Sequence, residues 1–393
     1  MKKRVALFLF LFCFSLSAQA IDRNVYGEAF GYPVVEQMEK SAEFKGMLKA
    51  LGSIFNFELN RFGLYGVVTE KSPVDIKVRQ WLESLAGRGG ADPIPVIVSD
   101  LFSILLDALI KSRSLSIAPT TDLYYGNSVR VTDQAIAFLG TLPADRAVRV
   151  LNVGPGHGLM EMKVFSSGLQ GGPFSNLLID SVDILPNVVK LFNNVTKPFL
   201  ASLDVERSRA FTMVQGNILD GLPAAFRMHT YDAVVALGVI HFLHPRTWVE
   251  FFGVVAASLR PGGSVLLSTR NIEAPYTESR EKEVREGLLR VYAEQKAAGS
   301  PMLGFVKTVL TVSPESAPII EVAGLSETET SPIAHTSVVR SGERATSTSI
   351  SVQFDVEGFG RLLRASMPPG LTVEWVGAVP SAGIYARLVK AAE

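Results

Sequence analysis

Cysteine and net charge are both almost missing from this sequence. Of its 393 residues only Cys13 is a cysteine, and it lies in an apolar segment near the amino terminus. Disulfide bonds and thiolate chemistry are therefore not expected in the rest of the chain.

The 38 basic residues equal the 38 acidic residues in number. Without an overall basic field to concentrate phosphate backbones, no nucleic-acid partner is expected. No group of His, Cys and Asp has the spacing of metal ligands, and we predict no metal.

The first twenty residues have the organisation of a secretory signal peptide. A basic start precedes the apolar run Val5–Phe14, and a small-residue site would be cleaved between Ala20 and Ile21. The apolar run is short for a membrane span. We therefore expect export to the periplasm or outside the cell. The alternatives are an uncleaved membrane anchor, as second choice, and a buried amino-terminal helix.

The most informative segment is the apolar run Val148–Val153 and the glycines that follow it. A run rich in Val and Leu is typical of a buried parallel strand, and Gly154, Gly156 and Gly158 come directly after it. Glycines at this strand end let the backbone take positive φ and approach a ligand closely. The dinucleotide motif needs its third glycine where Leu159 stands, which disfavours NAD and FAD.

Further apolar runs along the chain predict more strands. They are Leu177–Asp183, Ala210–Gln215, Tyr231–Leu237, Ser264–Thr269, Leu371–Ala378 and Gly383–Lys390. In this order the segments resemble the class I S-adenosylmethionine (SAM)-dependent methyltransferases, whose sheet closes with an antiparallel pair. The resemblance covers roughly Asp122–Thr269 and about the last forty residues. It implies an α/β fold with a Rossmann-like, seven-stranded, mostly parallel sheet.

The remaining segments are additions to that core. After the signal peptide (1–20) we predict a helical amino-terminal extension (21–115), a SAM-binding core (116–270), a substrate-side insert (271–350) and a carboxyl-terminal helix with two strands (351–393). The extension is predicted to cap the core or to form a docking surface; an additional structural layer is the alternative. Within the insert, 278–298 is predicted to be a helix, and 326–351, rich in Ser and Thr, a mobile loop or an edge hairpin.

The resemblance implies SAM as cofactor and assigns roles to single residues. The three glycines would make room for its methionine part, next to Asn152, which stands where similar proteins more often carry aspartate. Asp183 would accept hydrogen bonds from both ribose hydroxyls, or would only cap a helix. Ile184 would pack on the adenine, and Asn217 would lie at the adenine edge or be a simple turn residue, with its neighbour Ile218 as a further cofactor-binding candidate. Tyr124 or Tyr125 would supply an aromatic ring near the sulfonium, and each could equally pack in the core.

His241 and His244 follow the fourth predicted strand and are the candidates for catalysis. Either imidazole titrates near neutrality and would deprotonate a substrate, although such a histidine more often packs or bonds locally. We predict transfer of a methyl group to a small or apolar, lipid-like acceptor, with membrane association left open. The segment Leu237–Ile240 lacks the Asn/Asp-Pro-Pro-Tyr tetrapeptide of relatives that methylate bases. The alternatives are a non-catalytic protein that binds SAM or its demethylated product SAH and acts through a partner, and, less favoured, a nicotinamide oxidoreductase.

Overall fold

The computed structural model describes residues 37–38, 40–53, 93–113, 128–272, 279–300, 303–313, 316–325, 336–341, 344–352, 354–379 and 383–392. The predicted signal peptide, Tyr124 and Tyr125 lie outside these residues. Within them, no helix has the length and apolar character to cross a membrane.

A seven-stranded sheet forms the centre of the described chain. Its strands are β1 (Val148–Val153), β2 (Leu177–Asp183), β3 (Phe211–Gln215), β4 (Tyr231–Leu237), β5 (Leu259–Thr269), and the carboxyl-terminal pair described below. Parallel pairing joins β3 to β2, β2 to β1, β1 to β4, and β4 to β5. The predicted α/β fold with a Rossmann-like, mostly parallel sheet is confirmed.

Two antiparallel strands complete this sheet. Because Gly383–Lys390 pairs with both β5 and Leu371–Val379, the last strand of the chain lies inside the sheet and the one before it lies at the edge. The strand order therefore reverses on the two sides of β1: β2 and β3 follow on one side, and β4 and β5 on the other. Ligands bind at the carboxyl ends of the strands at such a reversal.

Helices cover both faces of the sheet, because its strands are apolar on both faces. The helices are α1 (Ala42–Ser53), α2 (Ile94–Arg113), α3 (Ser128–Leu139), α4 (Leu159–Gly168), α5 (Pro186–Leu191), α6 (Lys197–Leu203), α7 (Val205–Ser208), α8 (Trp248–Ser258), α9 (Ser279–Ala297) and α10 (Val356–Ala365). One face packs against α4 and its neighbours, and the other against α8 and α10. The two helices described from the amino-terminal extension, α1 and α2, form a layer outside this: α2 packs on α4, and α1 on α2 and α6.

The insert forms a second sheet. Its antiparallel strands are β6 (Phe305–Ser313), β7 (Ser316–Gly324), β8 (Thr336–Ser341) and β9 (Arg344–Val352), in the order β7-β6-β9-β8. The carboxyl-terminal strands of the main sheet are then β10 (Leu371–Val379) and β11 (Gly383–Lys390). Helix α9 packs on β7, and β9 contacts the turn that follows β4. For 326–351, the structure has the edge hairpin of the two predicted alternatives, and β6 and β7 were not predicted.

Candidate functional site

The glycine loop leaves β1 with three residues in the left-handed region. The φ angles of Gly154, Gly156 and Gly158 are 65°, 58° and 85°. A Cβ atom at Gly154 would overlap Val239 Cγ2, and one at Gly158 would lie 2.8 Å from Phe192 Cδ2. A Cβ atom at Gly156 would have no heavy atom within 4 Å. The open side of the loop is therefore at Gly156, where a ligand can approach the backbone.

Helix α4 begins directly behind this loop. Gly158 is its N-cap residue and offers no side chain to the first turn. Backbone N–H groups at a helix N-terminus favour an anionic ligand group such as a carboxylate. The arrangement fits the predicted position of the methionine part, whose carboxylate would face this turn.

Asp183 ends β2 and reaches back to the loop. Its Oδ2 accepts a hydrogen bond from the backbone N–H of Gly156 at 3.3 Å, and its Oδ1 accepts one from Leu185 N–H at 2.8 Å. Burial raises the pKa of Asp183 to about 6, opposed by these two hydrogen bonds. The carboxylate has further lone pairs for two hydroxyl groups.

Two apolar side chains next to Asp183 are exposed to solvent. Ile184 is 42% exposed and Leu185 is 44% exposed. Because large aliphatic side chains are usually buried, an exposed pair beside a polar residue is typical of a ligand-binding surface. Contact of Ile184 with the adenine stays a prediction.

Asn152 lies beneath the loop in a buried polar cluster. Its Nδ2 donates to Glu161 Oε1 at 2.7 Å, and Ser181 Oγ donates to the same oxygen. Burial raises the pKa of Glu161, and the two donors oppose this effect. Neither Glu161 nor Ser181 was a predicted site residue. The available signal was an acid in the otherwise apolar start of α4, Leu159–Met162.

The two candidates after β3 have local roles in the structure. Asn217 Oδ1 accepts a hydrogen bond from Leu219 N–H at 3.2 Å and so caps the short 3₁₀ turn Ile218–Asp220. Ile218 is buried in the apolar core. The amide nitrogen of Asn217 is not used by this cap, so contact with the adenine edge stays a prediction.

The two histidines after β4 differ in what their rings do. His244 Nδ1 accepts a hydrogen bond from Arg246 N–H at 3.0 Å, which caps the 3₁₀ turn Pro245–Thr247. Its ring lies against Phe305 of the insert, with centroids 5.0 Å apart. His241 is 1% exposed, and burial, with the charge of Arg270, holds its pKa well below the ordinary value. The imidazole of His241 is therefore neutral at neutral pH and a weaker proton acceptor than an unperturbed histidine.

Of the predicted site residues, the glycines, Asn152, Asp183 and Ile184 lie together at the carboxyl ends of β1 and β2. The histidines follow β4, on the other side of the strand reversal. In the described part of the chain, no group of three or more His, Cys, Asp or Glu residues is arranged to hold a metal ion.

Comparisons with known proteins add structures with a similar fold. No protein-family model matches the sequence, and no curated protein is found as its relative. The solved structures that it resembles include a magnesium protoporphyrin IX methyltransferase from Synechocystis PCC 6803 with bound SAH, at 13% identity, covering 70% of this chain and 88% of that one with a TM-score of 0.37. A SAM-dependent methyltransferase from Clostridium acetobutylicum is 12% identical, covering 70% and 98%, with a TM-score of 0.38. A complex of DhpI with SAM and HEP is 13% identical, covering 76% and 100%, with a TM-score of 0.38.

Proposed function

We propose that this protein is a SAM-dependent methyltransferase. The observation that carries the proposal is the arrangement at the carboxyl ends of β1 and β2. There the Cβ position of Gly156 is open, and the backbone N–H of Gly156 donates a hydrogen bond to the carboxylate of Asp183. Glycine without a neighbour at the Cβ position provides space for the ligand, and Asp183 provides acceptors for its ribose. The exposed Ile184 provides an apolar face for its base.

The chemical demands on the chain are modest. SAM would supply a methyl group that is already activated for transfer. The chain has to hold the acceptor in line with it, and such orientation contributes up to roughly 7 to 11 kcal/mol in favourable cases. This chemistry does not require a catalytic triad.

The acceptor proposed is a small or apolar, lipid-like molecule. Its support is the composition of the turn after β4, where Val239 and Phe242 are partly exposed and Val239 lies against Gly154 of the glycine loop. The insert sheet contacts the same turn through β9. Apolar side chains with few polar groups are typical of sites for such molecules.

Binding and turnover test this function separately. Isothermal titration of the purified protein with SAM and SAH should give saturable binding of both. A screen of acceptors, with SAH release as the readout, should then find turnover. Absence of binding by both ligands would reject the proposal. Binding without turnover across a broad acceptor set would favour the non-catalytic alternative, a SAM- or SAH-binding protein that acts through a partner.

His241 is proposed as the proton acceptor for the methylated group. The change His241→Gln should lower the rate of methyl transfer by roughly a hundredfold, the smaller end of what a general base contributes, because its lowered pKa makes it a weak base. SAH affinity should stay the same. The comparison is His244→Asn, which retains a capping side chain and should keep most of the rate. Rate and SAH affinity are measured for both variants, and a larger loss in His244→Asn would reverse the assignment.

A further inference from the structure

Glu161 has a buried carboxyl group in which only one oxygen accepts hydrogen bonds from the described residues. It is the third residue of α4 and is 1% exposed. Asn152 and Ser181 both donate to Oε1, whereas Oε2 is buried and has no hydrogen-bond partner among the described residues. A buried carboxyl oxygen without a partner is costly, so such an atom points to a group that binds there.

The second oxygen, Oε2 of Glu161, lies at the glycine loop. A Cβ atom at Gly158 would be 3.7 Å from Glu161 Oε2. Glu161 is also close enough to Asp183 for its charge to raise the pKa of that residue. Two desolvated carboxyl groups therefore lie at the same loop, and the charge of Glu161 disfavours ionisation of Asp183. The charge of His157, also in the loop, lowers the pKa of Glu161. A cation bound beside the two carboxyl groups would relieve their repulsion.

We propose that Glu161 Oε2 binds the ammonium group of the methionine part of SAM and SAH. This inference rests on the proposed function and deepens it. Asn152, at the end of β1, is neutral, so the negative charge for an ammonium comes from α4 instead. Its amide, together with Ser181, fixes Oε1 and thereby aims Oε2 toward the loop. The uncapped first turn of α4 is the matching place for the carboxylate of the same amino-acid group.

The test uses two ligands that differ in the amino-acid part. SAH has the ammonium, and 5′-methylthioadenosine has the same nucleoside without the amino acid. In the full chain, Glu161→Gln should weaken binding of SAH and of SAM by roughly tenfold or more, because a charge-assisted hydrogen bond in a buried site is lost. Affinity for 5′-methylthioadenosine should not change. Titration calorimetry measures all three ligands.

Each other outcome has a defined meaning. If wild-type protein binds neither SAH nor 5′-methylthioadenosine, the proposed function fails. If it binds both and Glu161→Gln leaves SAH binding unchanged, or weakens both ligands equally, only this inference is overturned. A loss confined to SAM would place Glu161 at the sulfonium and would also overturn the ammonium assignment.

A measurement on wild-type protein covers the case in which the variant does not fold. Because the buried carboxyl group has a raised pKa, binding of an ammonium should ionise it and release a proton. Calorimetry in two buffers of different ionisation enthalpy, repeated over a series of pH values, should show more proton release with SAH than with 5′-methylthioadenosine. Both ligands carry the ribose, so the contact of Asp183 with the ribose is common to both. Equal proton release would overturn the proposal.

Discussion

At the scale of single residues, the three glycines of the loop have the same conformation and different surroundings. All have positive φ, yet side chains of Val239 and Phe192 occupy the Cβ positions of Gly154 and Gly158. These two glycines allow elements of the protein to pack closely. Only Gly156 faces open space, so only there does the missing side chain serve a ligand.

The change Gly156→Ala should therefore damage binding more than stability. Alanine in the left-handed region costs about 1 to 2 kcal/mol, and no atom of the protein is displaced. The added methyl group would occupy the space of the ligand, and SAH affinity should fall by more than tenfold. Gly262→Ala is the matched control, because Gly262, in the first half of β5, has φ of 73° and equally open surroundings. Similar melting temperatures with loss of SAH binding only in Gly156→Ala are expected; equal affinities would remove Gly156 from the site.

The charge of Asp183 should cost stability in the ligand-free protein. Its pKa is raised from 3.8 to about 6 in the folded state, so the folded protein holds a proton that the unfolded chain loses between about pH 4 and pH 6. The free energy of unfolding therefore falls as pH rises through this window. Asp183→Asn should be more stable than wild type by on the order of 1 to 3 kcal/mol at pH 7, and by little below pH ~4.

Urea unfolding across this pH range, with SAH titration at pH 7, checks both effects of Asp183→Asn. The amide offers fewer acceptors to the ribose, so SAH affinity should fall while stability rises. A stability difference that does not vary with pH would contradict the raised pKa.

At the scale of elements, Arg207 of α7 joins helix α4 to the segment before β2. Its guanidinium donates to Leu177 O at 2.8 Å and to Phe174 O at 2.7 Å, and lies 4.8 Å from the ring centroid of Phe211. A Cβ atom at Gly168 would be 2.8 Å from its Nε, so glycine at the end of α4 makes room for it. Burial lowers the pKa of Arg207 to about 10, which leaves it charged at neutral pH.

Replacement of this guanidinium should strongly destabilise the fold. Arg207→Met keeps the length of the stem but leaves buried carbonyl groups unpaired, and the expected loss is about 2 to 4 kcal/mol. Arg209→Met, two residues away, removes an exposed pair with Glu206 and should change stability by less than about 0.5 kcal/mol. Denaturant unfolding of the two variants measures this difference, and equal losses would show that the carbonyl contacts do not stabilise the protein.

At the scale of the whole molecule, the end of the chain is part of the centre of the sheet. Strand β11 pairs with β5 on one side and with β10 on the other, and its Ile384, Tyr385, Ala386 and Leu388 are buried. Lys390 closes the end of this strand by donating to Ala256 O and Leu259 O at 2.9 Å and 2.7 Å. The parallel strands of the main sheet and its carboxyl-terminal pair therefore depend on each other for their packing.

Truncation before β10 should prevent folding. Deletion of residues 371–393 removes five buried apolar side chains and exposes the edge of β5. The larger of these side chains contribute roughly 1.5 to 3 kcal/mol each. This loss approaches the entire stability of a typical protein, about 5 to 15 kcal/mol. Deletion of only Ala392 and Glu393 is the control and should leave the thermal transition unchanged. A cooperative transition in the longer deletion, measured by circular dichroism, would contradict the expected dependence.

The strands and the glycine loop could be predicted because their signals are local. The predicted segments Leu177–Asp183 and Tyr231–Leu237 have the bounds of β2 and β4, since a segment rich in apolar residues and buried on both faces is typical of a parallel strand. The glycines after β1 predicted positive φ, which all three have. The loop and Asp183 could be assigned together because consecutive strands end at the same edge of the sheet.

What the sequence left undecided depends on contacts between distant residues. Glu161 becomes a candidate site residue only because folding brings Ser181 and Asn152 to one of its oxygens and leaves the other without a partner. His244 caps its own turn, a role that depends on the conformation of that turn. The sheet of the insert includes Ser- and Thr-rich strands with little apolar periodicity. The sequence by itself determined the strands of the main sheet and the glycine loop, since short apolar and glycine-rich runs encode them, whereas β6 and β7 of the insert were not predicted. The tertiary structure decided which polar groups face the proposed ligand, because burial and pairing of a side chain are set by residues far away along the chain.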